Sequence, residues 1–218
     1  MFRRVKRLFR VSPVYIKNQC STKLSDAIVN TNQQKYIWAV LGGAVATTIG
    51  MTARAVRKAR TLPPLQVAAH VDLEKYMGTW YEIGRYPLAS EDGCTEAQAT
   101  YTLRPDGHVQ VINQCLKNGE IKDVRGTAKV VDPTTNAKLK VTFFWPFKGD
   151  YWIMKVGPEQ EGIGYRYALV GHPYRETLWI LAREASLPQE TLDELLTLAQ
   201  QQGYEDLDRM VWRNDGTH

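Results

Sequence analysis

Side chains of the kinds that usually carry chemistry are thinly spread along these 218 residues. The four histidines, His70, His108, His172 and His218, are too scattered for a metal-ligand cluster, and no Ser/His/Asp arrangement accompanies them. His172 stands between Gly171 and Pro173, which is turn chemistry rather than catalysis. No catalytic residue and no metal site is therefore assigned, and the reading is that of a protein that is not an enzyme. Three cysteines are too few for a disulfide scaffold. What is concentrated is aromatic surface: "YMGTWYEIGRYP", residues 76–87, holds three tyrosines, a tryptophan and an arginine. Such a strand belongs either to an ordinary sandwich or to the first stave of a barrel closed over something apolar.

Charge divides the chain before any fold is considered. Residues 1–69 carry twelve Lys/Arg and a single acid, Asp26, whereas residues 70–218 carry sixteen Lys/Arg and 22 acids. The net charge of +5 thus conceals an acidic C-terminal part. Nucleic-acid binding would need base clustered on the fold itself, and that is where base is lacking, so no nucleic-acid partner is expected.

The first 35 residues read as a basic, transit-like leader or arm. Arg3, Arg4, Lys6, Arg7, Arg10, Lys17 and Lys23 precede any acid, and no apolar core of the secretory kind follows them. Residues 36–53, "YIWAVLGGAVATTIGMTA", form an uncharged run of 18, the short end of what crosses a bilayer as a helix. Gly42, Ala46 and Gly50 give it one smooth face on which another membrane helix would pack. The competing reading is a buried or interfacial helix. Residues 54–69, with Arg54, Arg57, Lys58 and Arg60 and then Pro63-Pro64, read as a basic linker. A domain at 70–218 follows.

From residue 77 short runs of alternating character recur every eight to fifteen residues, separated by turn signals. They are the strand at 77–86, "CTEAQATYTL", "HVQVINQC", "DVRGTAKVV", "AKLKVTFFW", "DYWIMKV", "YRYALVG" and "TLWILARE". Residues 104–107, "RPDG", turn the first hairpin, with Leu103 expected opposite His108. Only then does a helix appear, "SLPQETLDELLTLAQQQG", with Pro188 in its first turn, Gly203 as its stop and a Leu192, Leu195, Leu196, Ala199 stripe. One more short strand is expected around residues 208–213. The fold class is accordingly all-β: an eight-stranded up-and-down antiparallel barrel with a C-terminal α-helix, preceded by one transmembrane helix. A barrel of eight strands encloses room for one small ligand, and burial of an apolar tail there is favourable by about 25 cal/mol per Å².

These residues carry a family resemblance. "GTWYEI" resembles the lipocalin G-x-W signature, and "LWILARE" is similar to the last-strand motif of that family, which ends in arginine. "ATYTLRPDGHVQVIN", "LKVTFFWPFKGDYWI" and "YRYALVGHP" follow in order, most like the bacterial outer-membrane lipocalins, apolipoprotein D and the plant temperature-induced lipocalins. The resemblance implies that Gly78, Trp80 and Arg183 define the fold, with Trp80 closing the barrel floor and Arg183 stacked on it. It also implies a mouth framed by residues 88–93 and by the "WPFKGDY" turn. Tyr86, Trp145, Phe147 and Tyr151 are the candidate ligand contacts, against the alternative of simple hairpin packing. The insert "GPEQEGIG", residues 157–164, departs from the shorter turn of the family and reads as a partner contact or a solvated loop.

Cys94 and Cys115 are the candidate disulfide. Plain counting sets Cys94 opposite Lys117, so a bulge in one strand is needed to bring the two together, in an oxidising compartment. The functional expectation is a membrane-anchored lipocalin that binds or transports a lipid, fatty acid or other small hydrophobic molecule. The alternative is an accessory subunit of a larger membrane complex of respiratory type, with other membrane-protein subunits as partners. The leader and run point to the mitochondrial inner membrane. The barrel would lie in the intermembrane space if the cysteines are bridged, whereas the basic flank favours the matrix; a bacterial or plastid membrane is the other reading.

Overall fold

The computed structural model describes residues 62–213. The leader and the uncharged run at 36–53 lie outside the described residues. Within them, no helix is long and apolar enough to cross a membrane.

Eight antiparallel strands form the wall: β1 (Gly78–Arg85), β2 (Thr95–Leu103), β3 (Val109–Lys117), β4 (Glu120–Val130), β5 (Lys138–Thr142), β6 (Gly149–Val156), β9 (Tyr167–Gly171) and β10 (Leu178–Ala182). Each pairs with its neighbour in sequence order, β6 passing directly to β9, and β10 closes onto β1. Closure leaves these staves without a free edge. Two-residue strands β7 (Glu159–Gln160) and β8 (Gly164–Tyr165) form a separate hairpin, and β11 (Val211–Trp212) joins the upper half of β1. Because the strands alternate in direction, one end of the barrel carries loops 104–108, 131–137 and 157–166. The other carries loops 86–94, 118–119, 143–148 and 172–177. We call these the floor and the mouth.

The period-two pattern separates two cores. Inward residues, among them Trp80, Tyr101, Val109, Val111, Ala128, Leu139, Val141, Ile153, Val170 and Leu181, make one buried cluster inside the barrel. Outward residues of β9, β10 and β1, including Leu169, Ile180 and Ile83, pack against α2 (Gln189–Gln201) through Leu195 and Ala199. Leu192 and Leu196 flank that contact half-buried, so the helix docks by the stripe read from its spacing. The end of the expected linker also docks: Leu65 is buried in the outer cluster and Ala68 N–H donates to the Ile153 carbonyl at 2.9 Å.

The floor is closed by a short helix, α1 (Leu73–Tyr76), started by Asp72, whose Oδ1 accepts from the N–H groups of Glu74 and Lys75. Trp80, fully buried, donates from Nε1 to the Tyr76 carbonyl at 2.9 Å. The Arg183 guanidinium lies 3.8 Å from the centre of the Trp80 ring. It donates to the carbonyls of Thr79 at 2.8 Å, Met77 at 2.6 Å, Lys75 at 3.1 Å and Tyr165 at 3.2 Å. Gly78 sits at φ +96° with Arg183 Nη1 only 3.2 Å from where a Cβ would be, so a side chain there meets both backbone strain and the arginine. The insert at 157–164 is neither free nor extended. It folds as the β7–β8 hairpin against α1, with Glu159 paired to Lys75 Nζ at 2.7 Å.

Two local readings are corrected. Leu103 stands opposite Val109, not His108, because residues 104–108 turn with Arg104 N–H donating to the His108 carbonyl. The β7–β8 hairpin was not anticipated, since two-residue strands have no period to read. Replacing Arg183 with alanine should cost on the order of 2–4 kcal/mol, because it removes the stacked cation and leaves several carbonyls without a donor. Lysine, with no planar fork, should restore less than half. Urea unfolding measures both; a loss within experimental error of zero for Arg183→Ala would contradict this role of the floor.

Candidate functional site

The barrel interior changes character from floor to mouth. Above Trp80 three phenols meet: Tyr76 Oη lies 2.8 Å from Tyr151 Oη, which lies 3.0 Å from Tyr101 Oη. Their rings, with Trp179, form a tilted stack whose successive centroids are 5.6, 6.0 and 6.4 Å apart. Burial pushes Tyr101 up to about 12 and raises Tyr76 and Tyr151 well above the ordinary phenol value, so all three are neutral hydroxyls at any physiological pH. Tyr151, Phe143 and Trp179 belong to the inner cluster yet keep accessible surface.

Nearer the mouth the lining becomes charged. Glu82 is two residues from Trp80 and pairs with Leu181, so it shares their inward face. Between Glu82 and Gly84 the β1–β10 register shifts, a bulge at Ile83 that turns Arg85 inward opposite Trp179. Arg85 Nε lies 3.0 Å from Glu82 Oε1 and 2.7 Å from Glu91 Oε2, and Nη2 donates to the Glu91 carbonyl at 2.8 Å. The Nε contacts are ion pairs without hydrogen-bond alignment: Arg85 Nε and Glu91 Oε2 both lack a hydrogen-bond partner, as does Asn113 Oδ1 on the inward face of β3. Burial, reinforced by Glu91 and opposed by Arg85, raises Glu82 to about 8, and burial raises Glu91 in the same direction. Burial outweighs the fields of Arg85 and Arg213 on Glu82, so one of the two neighbouring carboxyls is driven to keep its proton.

The residues expected to touch a ligand are dispersed by this geometry. Tyr151 lies in the interior, at the centre of the phenol chain. Trp145 and Phe147 stand exposed on the β5–β6 loop at the mouth. Tyr86 is a correction: the bulge at Ile83 turns it outward, into the core under α2, where its ring meets Tyr204 and Arg209 and its hydroxyl donates to the Glu205 carbonyl. Gly78, Trp80 and Arg183 come together at the floor. Cys94 and Cys115 are bridged, with Cα atoms 5.5 Å apart. β2 carries a bulge between Thr95 and Gln98, with Glu96 at φ +52°, but Thr95 still pairs with Leu116, so Cys94 meets Cys115 from just outside the ladder and not as a cross-strand pair. Sequence reading missed Glu82, Arg85, Glu91, Asn113 and Trp179. Glu82 was within reach, because it is two residues from an inward tryptophan on one strand. Arg85 and Glu91 were hidden by the bulge and by a loop folding back.

The barrel is closed, sealed at its floor by Trp80 and Arg183, aromatic inside and charged along the Glu82–Arg85–Glu91 wall. A lipocalin-like domain model matches residues 71–215. The chain is 38% identical over 151 residues to temperature-induced lipocalin-1 of Arabidopsis thaliana, covering 65% of this chain and 78% of that protein. It is 38% identical over 154 residues to the outer membrane lipoprotein Blc of Escherichia coli K12, covering 69% and 84%. Apolipoprotein D of Macaca fascicularis is 38% identical over 139 residues, covering 62% and 71%. Among solved structures, insecticyanin from the tobacco hornworm Manduca sexta superposes with a TM-score of 0.56 at 20% identity, covering 70% of this chain and 85% of that one, which speaks to the fold alone. The chain belongs to the lipocalin family. Members of this family bind small hydrophobic ligands and are generally binding or transport proteins rather than enzymes.

Unfolded, Glu82 releases its proton near 4.5; folded, near 8, so over that interval the native state holds a proton that the unfolded chain has lost. Its stabilising contribution is full below about pH 4.5 and disappears as pH rises through about 8. Glu82→Gln should therefore flatten the fall in unfolding free energy over that range, by a slope of at most about 1.4 kcal/mol per pH unit. Urea titrations at several pH values check it, and identical slopes in the two proteins would contradict the assignment.

Proposed function

We propose that this lipocalin holds a lipid, fatty acid or other small amphiphile, with its tail against Tyr151, Phe143 and Trp179 and its polar end toward Glu82, Arg85, Glu91 and Asn113. The observation that carries this reading is the make-up of the interior: neutral phenols above a sealed floor, with Phe143 and Trp179 on the same inner face as the Arg85 ion cluster. Such an interior favours a molecule that is apolar at one end only, since a buried apolar tail gains about 25 cal/mol per Å² and Asn113 Oδ1, buried without a hydrogen-bond partner, gains one.

We further propose that residues 36–53 hold the protein at a membrane. The run's 18 uncharged residues support this. The basic leader supports a mitochondrial inner membrane, and the Cys94–Cys115 bridge an oxidising side of it; one relative is by name a bacterial outer-membrane lipoprotein, which supports the bacterial alternative. Gly42, Ala46 and Gly50 favour a second reading, a docking subunit of a larger membrane assembly. Sedimentation of the native protein in mild detergent separates the two, as a large assembly or a lone chain.

For ligand binding, the full chain extracted in mild detergent should carry a lipid-sized mass in native mass spectrometry and should bind a fluorescent fatty-acid probe. Trp179→Ala should weaken that probe about tenfold, the loss of about 1.4 kcal/mol at an aromatic contact. Val131→Ala, on the exposed floor side, should leave it unchanged. Equal affinities for Trp179→Ala and the parent would argue against a ligand in the barrel.

A further inference from the structure

The three most exposed large apolar side chains among the described residues, Trp145, Ile121 and Phe147, lie at the mouth, while Val131 at 49%, Ile163 at 43% and Leu103 at 36% are exposed at the floor. Trp145 is 85% exposed and Phe147 58%, both on the β5–β6 loop, and Tyr174 is 45% exposed on the β9–β10 loop. These loops are neighbours because β6 pairs with β9. They are also linked: His172 Nε2 lies 3.9 Å from Asp150 Oδ2, and the His172 ring meets Tyr174 edge-on at 5.4 Å. Ile121, 75% exposed on the β3–β4 hairpin, stands at the same end. Lys148, next to Phe147, is exposed as well. Isolated apolar residues on a surface need no explanation, whereas several at one end of a barrel do.

The mouth is also where the chain reaches the barrel. Buried Arg175, on the β9–β10 loop beside Tyr174, donates from Nη2 to the Pro63 carbonyl at 2.9 Å and from Nε to the Gln202 carbonyl at 2.8 Å. It thereby fixes the incoming segment to the rim. Only eight residues, 54–61, separate the first described residue, Leu62, from the end of the uncharged run. Even fully extended they reach roughly 28 Å. Four of the eight are basic: Arg54, Arg57, Lys58 and Arg60.

We propose that the mouth is a bilayer-docking surface: Trp145, Phe147 and Tyr174 enter the interfacial layer of the membrane and the barrel opens toward lipid. The residue types match that occupant. Tryptophan and tyrosine favour the headgroup level, phenylalanine adds apolar area, and a lysine beside it keeps its ammonium among phosphates. The basic tether is drawn to anionic lipid. An amphiphile then passes between bilayer and barrel without its tail crossing open water. This rests on the proposed membrane anchoring, and it extends the lipid-binding reading by giving the ligand a route.

The test uses the full chain with Cys20→Ser, reconstituted in vesicles of phosphatidylcholine and phosphatidylglycerol. Nitroxide labels are placed at Phe147→Cys or Val131→Cys, both exposed positions, with the Cys94–Cys115 bridge left intact. Collision rates with oxygen, which concentrates in lipid, and with a water-soluble nickel complex are then measured by electron paramagnetic resonance. The oxygen-to-nickel ratio should be several-fold higher at 147, on the mouth, than at 131, on the floor. Equal aqueous accessibility at the two sites, or no association with the vesicles, overturns the proposal. A label at 147 shielded from both reagents means that a second copy covers the mouth, and overturns it too. Probe binding by the same samples is measured separately, so failure of the ligand reading leaves this readout intact.

Discussion

The contact between Arg183 and Trp80 is the constraint on which the barrel depends. It joins the first stave to the chain just past the last one, and it does so at the floor, where a closed sheet would otherwise leave a hole. The arginine does more than stack: its donors take up the carbonyls of Lys75, Met77 and Thr79, which fixes α1 beneath the indole. Trp80 in turn holds the carbonyl of Tyr76. With α1 fixed, the Tyr76 hydroxyl is aimed up the axis and begins the chain of phenols through Tyr151 to Tyr101. A planar, permanently charged fork is the group that satisfies several carbonyls and a ring face at once.

A sealed floor makes the interior one-ended, and the distribution of polarity follows. Deep in the cup, hydroxyls satisfy one another, so aromatic surface is available without unpaired polar atoms. Toward the mouth, one bulge at Ile83 changes the chemistry of a whole wall. It turns Arg85 in and Tyr86 out, so that the strand supplies an ion cluster to the cavity and an anchor to the outer core. Gly84 permits this crowding: a Cβ there would lie 2.5 Å from the Trp212 ring of β11. The cost of burying two carboxyls beside Arg85 appears as a retained proton rather than as a naked charge.

Much of the architecture was legible because it rests on periodicity. Strands β3 and β5 alternate, and the Leu195 and Ala199 face of α2 was visible from spacing alone. The lipocalin signature located Gly78, Trp80 and Arg183 because each answers to one local geometry. What escaped was set by a single extra residue. Counting by twos from Trp80 reaches Glu82 correctly, then carries Tyr86 to the wrong face, since no residue type at Ile83 announces a bulge. The disulfide was legible only conditionally, because Cys94 lies one residue before β2, where ladder counting no longer applies. Glu91 reaches the cavity through a loop that folds back, which period and propensity do not encode.

The central claim is that the interior above Tyr151 receives an apolar chain. Anomalous diffraction from crystals of the protein grown with a bromine-labelled fatty acid tests this most directly. A bromine peak inside the barrel, between Tyr151, Phe143 and Trp179, is the predicted result. A peak found solely on the outer surface beside α2, or none at a concentration that saturates binding in solution, would contradict it.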